Sequence, residues 1–296
     1  MKSDSRNYLL LALVAVAAAL VGFWLSRDVV GVAKRDQTAD PVKPRPARQL
    51  DAPNRNSKST ARHPSKSTVD LRDLLLGTPK ERIVRFKSDQ AYQDFLAKLA
   101  GSGLSLLGRV DQLRALRIGF DDLDALERIL GDDDETAANY LVSIPELPEV
   151  GAQPGAVGFG RNTLEWLGVT GDNSSWGDGV RIAMLDTGIG VSSAFPDGIR
   201  EIDLVTGDEP VPLHGHGTAV ASLMVGANGV TQGIAPSADL LSIRIADEAG
   251  ASNSFLLAEG IVRAVDEGAQ IINISMGSYG DSTMVQDAVQ YAVDSD

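Results

Sequence analysis

The sequence contains no cysteine, which excludes disulfide bonds, thiolate zinc sites and a cysteine nucleophile. Histidine is scarce too, and two of the three histidines, His214 and His216, share one tripeptide. Basic charge becomes scarce after residue 70. The first 70 residues hold 12 of the 27 Lys and Arg but 6 of the 40 Asp and Glu, which leaves 15 and 34 for the other residues. A region this acidic repels phosphate backbones, so nucleic acid is a poor partner.

Residues 1–30 are predicted to be a signal anchor or a signal peptide. The stretch Tyr8–Leu25 has no charged residue. As a helix it would be about 27 Å long, close to the thickness of a bilayer core. A cleaved signal would have a shorter apolar stretch followed by small residues. Here the run continues past Ala17–Ala19, which favours an uncleaved membrane anchor and keeps the cleaved signal as the alternative.

Residues 31–68 are predicted to be a disordered Pro-rich linker. The part from 36 to 68 has five prolines and no aromatic residue. Such a stretch cannot bury enough apolar surface to offset the entropy of ordering it. We expect a spacer that is semi-rigid around its prolines.

Residues 69–158 are predicted to form a small module. Strand and helix patterns alternate in the order β-α-β-β-α-β, which indicates an α+β ferredoxin-like sandwich. The predicted strands cover about 82–87, 103–110, 113–120 and 138–144. Ser88 is the expected cap of the first helix, and Asp121 or Asp122 that of the second. No part of the module has a catalytic pattern, so we expect it to cover or bind something.

Residues 159–296 alternate buried-type strands with helices, which predicts a doubly wound parallel sheet with crossover helices. The predicted strands are 180–185, 239–245 and 270–274. Ligands of such sheets bind at the carboxyl ends of the strands. Asp186 and the segment around Ser275 fall at two of these ends.

Four short motifs come one after another in this region. They are AMLDTG at 183–188, HGHGTAVAS at 214–222, GIAPSA at 233–238 and NISMG at 273–277. In this order they resemble the subtilisin-like serine proteases (subtilases, peptidase S8). The resemblance covers about 161–296, and the module at 69–148 is similar to the inhibitory propeptide of that family. It implies a partial doubly wound parallel sheet of subtilisin type, behind a ferredoxin-like propeptide module and an N-terminal membrane helix.

The resemblance implies that Asp186 and His216 are catalytic. In an Asp-His-Ser triad a buried carboxylate fixes the imidazole tautomer, and the histidine acts first as general base and then as general acid. Asp186 ends an apolar strand, as such a carboxylate should. His216 matches the family pattern His-Gly-Thr-x-Val-Ala, whereas His214 does not and is expected to be a loop histidine near the cleft.

Other interpretations of these residues are weaker. A strand-end carboxylate such as Asp186 often only caps a turn. The Asp-Thr-Gly sequence also occurs in aspartic proteases, but one copy would require a dimer, and that fold is rich in β-structure. A metal site at His214 and His216 lacks a third ligand at a suitable spacing. The sequence therefore predicts no metal and no cofactor.

Substrate contacts are implied for Gly250, Ser275, Met276 and Gly277. By resemblance, the loop through Gly250 and the segment 275–277 form the two walls of a cleft, and a peptide between them adds a strand through main-chain hydrogen bonds. Ordinary turns at strand ends are the alternative. The expected partners are a peptide or protein substrate, the chain's own propeptide, and a membrane through the N-terminal helix.

The sequence departs from the family pattern after His216. The family's serine comes roughly 150 residues after its histidine, and none of the serines after His216 has the Gly-Thr-Ser context. The oxyanion-hole asparagine is absent as well, because Asn273 belongs to an earlier motif. We therefore expect a truncated chain that is inactive alone. The segment 226–233 has no carboxylate, so a calcium loop is not expected either.

Together these features predict a serine endopeptidase precursor, membrane-anchored with its catalytic region outside the cytoplasm, or secreted. The alternative is a non-catalytic pseudoprotease, or a propeptide-type inhibitor or binding protein.

Overall fold

The computed structural model of the protein describes residues 77–145, 163–195, 199–205, 213–227 and 231–295. The predicted anchor and linker lie outside these residues. Within the described ranges no helix is both long and apolar enough to cross a membrane. Both predicted globular regions contribute to one compact unit that covers residues 70–296.

The first region has the predicted element order. Its strands are β1 Gly77–Arg85, β2 Leu104–Val110, β3 Ala115–Phe120 and β4 Glu135–Ser143, and its helices are α1 Asp89–Lys98 and α2 Leu123–Glu127. The strands pair antiparallel in the order β2-β3-β1-β4. Ser88 caps α1 through Ala91 N, and Asp122 caps α2 through Asp124 N. One face of the sheet packs on these helices, since Phe86, Tyr92, Phe95 and Leu116 are buried together.

The second region contains a parallel sheet. Its elements are α3 Thr163–Trp166, β5 Arg181–Asp186, β6 Arg200–Asp203, α4 Gly215–Val225, β7 Asp239–Arg244, β8 Ala251–Asn253, α5 Ser254–Asp266, β9 Ile271–Ile274 and α6 Thr283–Asp294. The sheet order is β6-β7-β5-β9, with every pair parallel. The predicted strand–helix alternation is therefore present, and β5 lies in the interior of the sheet.

Helices cover both faces of the parallel sheet. On one face α4 places Ala221 and Met224 against Met184. On the other face α5 places Ala258 and Ile261 in the cluster that contains the alternate residues of β5 and β7. Because β5 and β7 are buried on both faces, their sequences are nearly continuous apolar runs.

The two regions share an edge. The short strand β8, which the sequence did not predict, pairs antiparallel with β4 and becomes the fifth strand of the first sheet. The strand β6 was also not predicted, because its sequence, Arg-Glu-Ile-Asp, has only one apolar residue. Among the predicted strands, β1 has the largest error in its start. It begins at Gly77 instead of Arg82, and its register with β4 is irregular between these residues.

Candidate active site

Asp186 is the last residue of β5 and is completely buried. Asp186 pairs with Arg244 on β7, and the preceding residue, Leu185, pairs with Ile274 at the end of β9. The carboxylate Oδ1 accepts a hydrogen bond from the backbone N–H of Thr187 at 2.7 Å. The carboxyl edge of the sheet therefore holds one inward-facing acid, at the place where ligands of such sheets bind.

His216 lies in the first turn of α4 and brings its ring to this carboxylate. Its Nδ1 is 2.8 Å from Oδ1 and 3.0 Å from Oδ2 of Asp186. Because a carboxylate oxygen accepts, Nδ1–H of His216 is the donor, and in the neutral ring Nε2 then has a free lone pair for a proton. The hydrogen bond to Asp186 raises the pKa of His216, although partial burial acts in the opposite direction.

The close approach of α4 to β5 requires glycine at position 217. A Cβ there would lie 2.3 Å from the carbonyl oxygen of Gly188 and 3.2 Å from Oδ1 of Asp186. Real Cβ atoms do not come so close to backbone. Gly217, directly after His216, therefore permits the spacing that joins the imidazole to the carboxylate.

Thr187 ties the same two segments together. Its Oγ1 donates to the carbonyl oxygen of His214 at 3.0 Å and accepts from the backbone N–H of Gly217 at 3.0 Å. These bonds bracket His216 on both sides along the chain. The threonine of the Asp-Thr-Gly motif thus has a structural role that the sequence analysis did not assign.

The two predicted substrate walls face each other across the end of β4. Ser143 exchanges two hydrogen bonds with Gly277, each with an N–O distance of 3.0 Å. On the opposite side the backbone N–H of Ile144 donates to the carbonyl oxygen of Gly250 at 3.0 Å. Residues 143–144 are therefore held as an added strand between Gly250 and Gly277.

Gly250 also has a conformation that explains its residue type. Its φ is +76°, in the left-handed region that favours glycine. A Cβ there would meet Cδ1 and Cγ1 of Ile144 at 2.5 Å. The bare backbone of Gly250 therefore makes room for the side chain of Ile144.

The other two predicted contact residues have different partners. The hydroxyl of Ser275 lies 2.9 Å from the amide Nδ2 of Asn273, and Met276 packs against the apolar cluster beneath the sheet. The structure thus brings Gly250 and Gly277 to the strand from the first region, while Ser275 and Met276 flank that position.

Besides Thr187, sequence reasoning did not assign the roles of His214 and Ser278. His214 is the N-cap of α4, with Nδ1 accepting from the backbone N–H of His216 at 3.1 Å. Ser278 donates from Oγ to the carbonyl oxygen of Leu141 at 2.7 Å, next to the strand contact of Gly277. Histidine is not among the usual capping residues, so the sequence around His214 did not indicate a cap. Ser278 follows the NISMG motif at 273–277 without belonging to it, so no pattern indicated its bond.

A metal site does not form among the described residues. No group of three or more His, Asp or Glu side chains is placed to hold an ion there. His214 and His216 have ring centroids 6.4 Å apart, and His216 already uses Nδ1 for Asp186. The arrangement suits proton transfer by one imidazole that is oriented by one carboxylate.

Comparison with known proteins points to one family. A sequence model of the subtilase family matches residues 177–296. The chain is 28% identical over 226 residues to the thermophilic serine proteinase of Bacillus sp. (strain AK1), covering 72% of this chain and 55% of that protein. It is 36% identical over 124 residues to thermitase of Thermoactinomyces vulgaris, covering 39% of this chain and 44% of that protein. The chain thus spans about half the length of these curated relatives.

Solved structures share the fold. Fervidolysin of Fervidobacterium pennivorans, a keratinolytic enzyme related to subtilisin, superposes with a TM-score of 0.57 at 18% identity, over 74% of this chain and 39% of that one. The epidermin leader peptide processing serine protease of Staphylococcus aureus gives 0.53 at 20% identity, over 73% and 57%. At these identities the likeness concerns the fold. The chain thus has a subtilisin-like mixed α/β fold, and its residues 177–296 match the subtilase family of serine proteases.

Proposed function

We propose that the protein is the precursor of a subtilisin-like serine endopeptidase, with Asp186 and His216 as two members of its catalytic triad. The observation that carries the proposal is the 2.8 Å bond between His216 Nδ1 and the buried carboxylate of Asp186. That bond directs Nε2 of His216 away from the carboxylate, where a serine hydroxyl can give up its proton. Asp186 then stabilises the imidazolium that forms.

The pKa of His216 sets the expected pH dependence. A general base must be unprotonated before turnover. Because Asp186 raises the pKa of His216, activity should rise as the pH increases through a value above that of an ordinary histidine. Replacement of Asp186 by asparagine should remove the charge that stabilises the imidazolium and shift this limb towards lower pH.

The nucleophile and the oxyanion-hole donor are proposed to lie in polypeptide beyond residue 296. The proposal is supported by the matched length, since the chain covers 55% of the AK1 proteinase and 44% of thermitase. The sequence context of the serines after His216 also supports it. On this proposal the 296 residues alone do not hydrolyse peptides.

The first region is proposed to be the intramolecular inhibitory propeptide. Residues 143–144 occupy the position between Gly250 and Gly277 where a peptide would add a strand. Val142, one residue earlier, is almost fully buried. A bound segment of this kind blocks the cleft in the manner of a product. On this proposal its release needs a cleavage between Glu149 and Gly160, a stretch rich in glycine.

The remaining contacts of the first region support a tight inhibitor. Asn139 Oδ1 accepts from the backbone N–H of Phe255 at 3.0 Å and from the hydroxyl of Ser254 at 3.1 Å, at the start of α5. Arg85 on β1 forms an ion pair with Asp287 on α6. These bonds lie outside the cleft, so the region does not depend on its inserted strand alone.

The protein is proposed to act outside the cytoplasm, tethered through its N-terminal helix or released by cleavage of a signal peptide. A relative that is 28% identical over 206 residues is the minor extracellular protease Vpr of Bacillus subtilis. The uncharged stretch Tyr8–Leu25 is the sequence feature that supports an export signal or anchor.

The test begins with the coding sequence beyond codon 296. A Gly-Thr-Ser helix start in frame, and peptidase activity of the extended protein that His216→Ala and Asp186→Asn abolish, would support the proposal. The separate 69–158 segment, added in rising amounts to the extended peptidase region, should inhibit it at micromolar concentration. A stop codon without such a sequence in any frame would favour a pseudoprotease, and full activity with folded 69–158 present would remove the propeptide role.

A further inference from the structure

The helix that carries His216 is capped by another histidine. His214 has the extended backbone of an N-cap, with φ −67° and ψ 134°, and its Nδ1 accepts from the backbone N–H of His216 at 3.1 Å. The usual N-cap acceptors are side-chain oxygens of Ser, Thr, Asp or Asn, and these oxygens have a free lone pair at neutral pH. An imidazole nitrogen accepts only when it carries no proton.

This bond fixes the protonation state of His214. Its Nδ1 must be bare, so the neutral ring carries its single proton on Nε2. His216 has the opposite arrangement, since its Nδ1–H points at Asp186. One turn therefore holds a histidine with a bare Nδ1 and a histidine with a protonated Nδ1, with ring centroids 6.4 Å apart.

The backbone of His216 is held from both sides along the chain. His214 takes the N–H of His216 itself, and Thr187 Oγ1 takes the N–H of the next residue, Gly217, at 3.0 Å. Thr187 Oγ1 also donates to the carbonyl oxygen of His214 at 3.0 Å. The cap is thus part of the scaffold that sets where the His216 ring meets the carboxylate.

We propose that His214 is a positioning residue for His216. His214 holds the first turn of the helix only while its own ring is neutral. The inference rests on the proposed function in one respect, the role of His216 as general base. A second proton on His214 removes the acceptor of the His216 N–H. It also puts a positive charge at the positive end of the helix dipole and next to the His216 ring. Protonation of His214 would therefore free the backbone of His216 from its cap. The new charge would at the same time oppose the protonation of the His216 ring.

The other charged groups around this turn have partners of their own. Asp186 is bonded to His216 and to the N–H of Thr187. On the far side of Gly188, Glu201 accepts from the N–H of Ile189, and Arg244 is paired with Asp203. Within the described residues, these groups therefore do not compete with His214 for the N–H of His216.

Nitrogen chemical shifts of the imidazole rings in the full 296-residue chain test the protonation states without any substitution. At mildly alkaline pH we expect His214 to show a bare Nδ1 and a protonated Nε2, and His216 to show the reverse. A proton on Nδ1 of His214 would overturn the proposal, because that nitrogen could not cap the helix.

Two substitutions separate the cap from the charge. His214→Asn keeps an acceptor that does not titrate, whereas His214→Ala removes it. We expect hydrogen-exchange protection of the His216 amide to fall roughly fivefold or more in the alanine variant, the size of a lost N-cap, and to be retained in the asparagine variant. On acidification the native chain should lose this protection and the asparagine variant should keep it.

The same spectra distinguish this proposal from the proposed function. Asp186→Asn should lower the pKa of His216 while leaving the His214 tautomer and the amide protection unchanged, so the cap is tested even if no peptidase activity exists. Equal protection in the native and alanine chains would overturn the positioning role. So would failure of asparagine to restore protection, or an acid response that persists in His214→Asn.

Discussion

The two sheets of this protein use their polar residues differently. In the antiparallel sheet, the most buried polar side chain, Asn139, points to the neighbouring region and caps the first turn of α5. In the parallel sheet, the buried Asp186 points out of a strand end towards an imidazole. The polar residue of the first sheet thus binds the neighbouring region, whereas that of the second sheet orients a side chain that can transfer a proton.

The difference arises from the topology. Parallel strands bring their carboxyl ends to one edge, where polar residues meet without interrupting the apolar faces. An antiparallel sheet has no such common edge, and its free face is available for packing. Here that face packs on α5, with Phe255 buried in one cluster with Ile83 and Val110. A reactive edge and a covering face are therefore complementary uses of two sheet types.

The largest effect should come from the reactive edge. In a form extended through the serine, His216→Ala should lower kcat by at least about a thousandfold, because the base and the acid are lost together. His214→Asn should cost far less, since it keeps the cap. Steady-state kinetics on folded variants, checked by circular dichroism, measure both. Exchanged effects of the two positions would show that the wrong histidine has been assigned.

The covering face should depend most on Phe255. Its ring is 1% exposed and fills the space over Gly108, where a Cβ would come within 2.7 Å of Cε1. We expect Phe255→Ala to lower the free energy of unfolding of the full chain by about 3–5 kcal/mol, as for other buried aromatics. Urea titration measures the change. Val293→Ala, at a position 65% exposed, is the control, and an equal loss there would refute the anchoring role of Phe255.

A smaller effect is expected for the polar link between the regions. Asn139→Ala leaves the buried N–H of Phe255 without its acceptor, which should cost about 1–3 kcal/mol of unfolding free energy. Glu81 loses the bond from Asn139 as well but keeps its two hydrogen bonds from Arg117. Gln112→Ala removes an exposed bond to Asp266 and is the matched control, with an expected loss below about 0.5 kcal/mol. Similar losses in the two variants would mean that burial at this contact is unimportant.

The smallest effect concerns Glu259 on α5. Burial raises the pKa of this glutamate, while Arg117 of the first region and Arg263 act against the rise. A raised pKa gives stability below the ordinary pKa of glutamate that is lost as the pH rises through the folded-state value. Glu259→Gln should therefore stabilise the chain near pH 7, by less than about 1 kcal/mol at this half-buried position, and have little effect in acid.

Glu267 gives the control of opposite sign. Its hydrogen bond with Arg200 lowers the pKa of Glu267, so its contribution is present at neutral pH and disappears in acid. Glu267→Gln should thus destabilise the chain near neutrality. Urea titrations at neutral and acidic pH compare the two variants. A loss of stability in Glu259→Gln at pH 7 would show that the arginines outweigh burial.

Much of the element order was predictable because local signals are strong. Ser88, Asp122, Asn253 and Ser282 each cap a helix through a backbone N–H, as their residue types predict. The strand β6 was missed because only one of its four residues is apolar, and β8 because its three residues form a strand only through their pairing with β4. The start of β1 was wrong because pairing with β4 extends it to Gly77.

The residues of the candidate site could be named from the sequence, and their catalytic and substrate-binding roles stay predictions. Asp186 and His216 could be singled out because a motif places each at an element boundary, and Gly250 and Gly277 because the resemblance to the subtilases implies substrate contacts there. The roles of Thr187 and His214 could not be, since each depends on an atom of the other segment at 3.0 Å.

The sequence by itself determined most of the strands and helices and which carboxylate and imidazole stand at their ends, since periodicity and capping act over a few neighbouring residues. The tertiary structure alone decided that Ser143 and Ile144 lie between Gly250 and Gly277, and that Nδ1 of His214 accepts from the backbone N–H of His216. Hydrogen bonds of the first kind join residues more than a hundred positions apart. The second depends on side-chain direction, which no local pattern specifies.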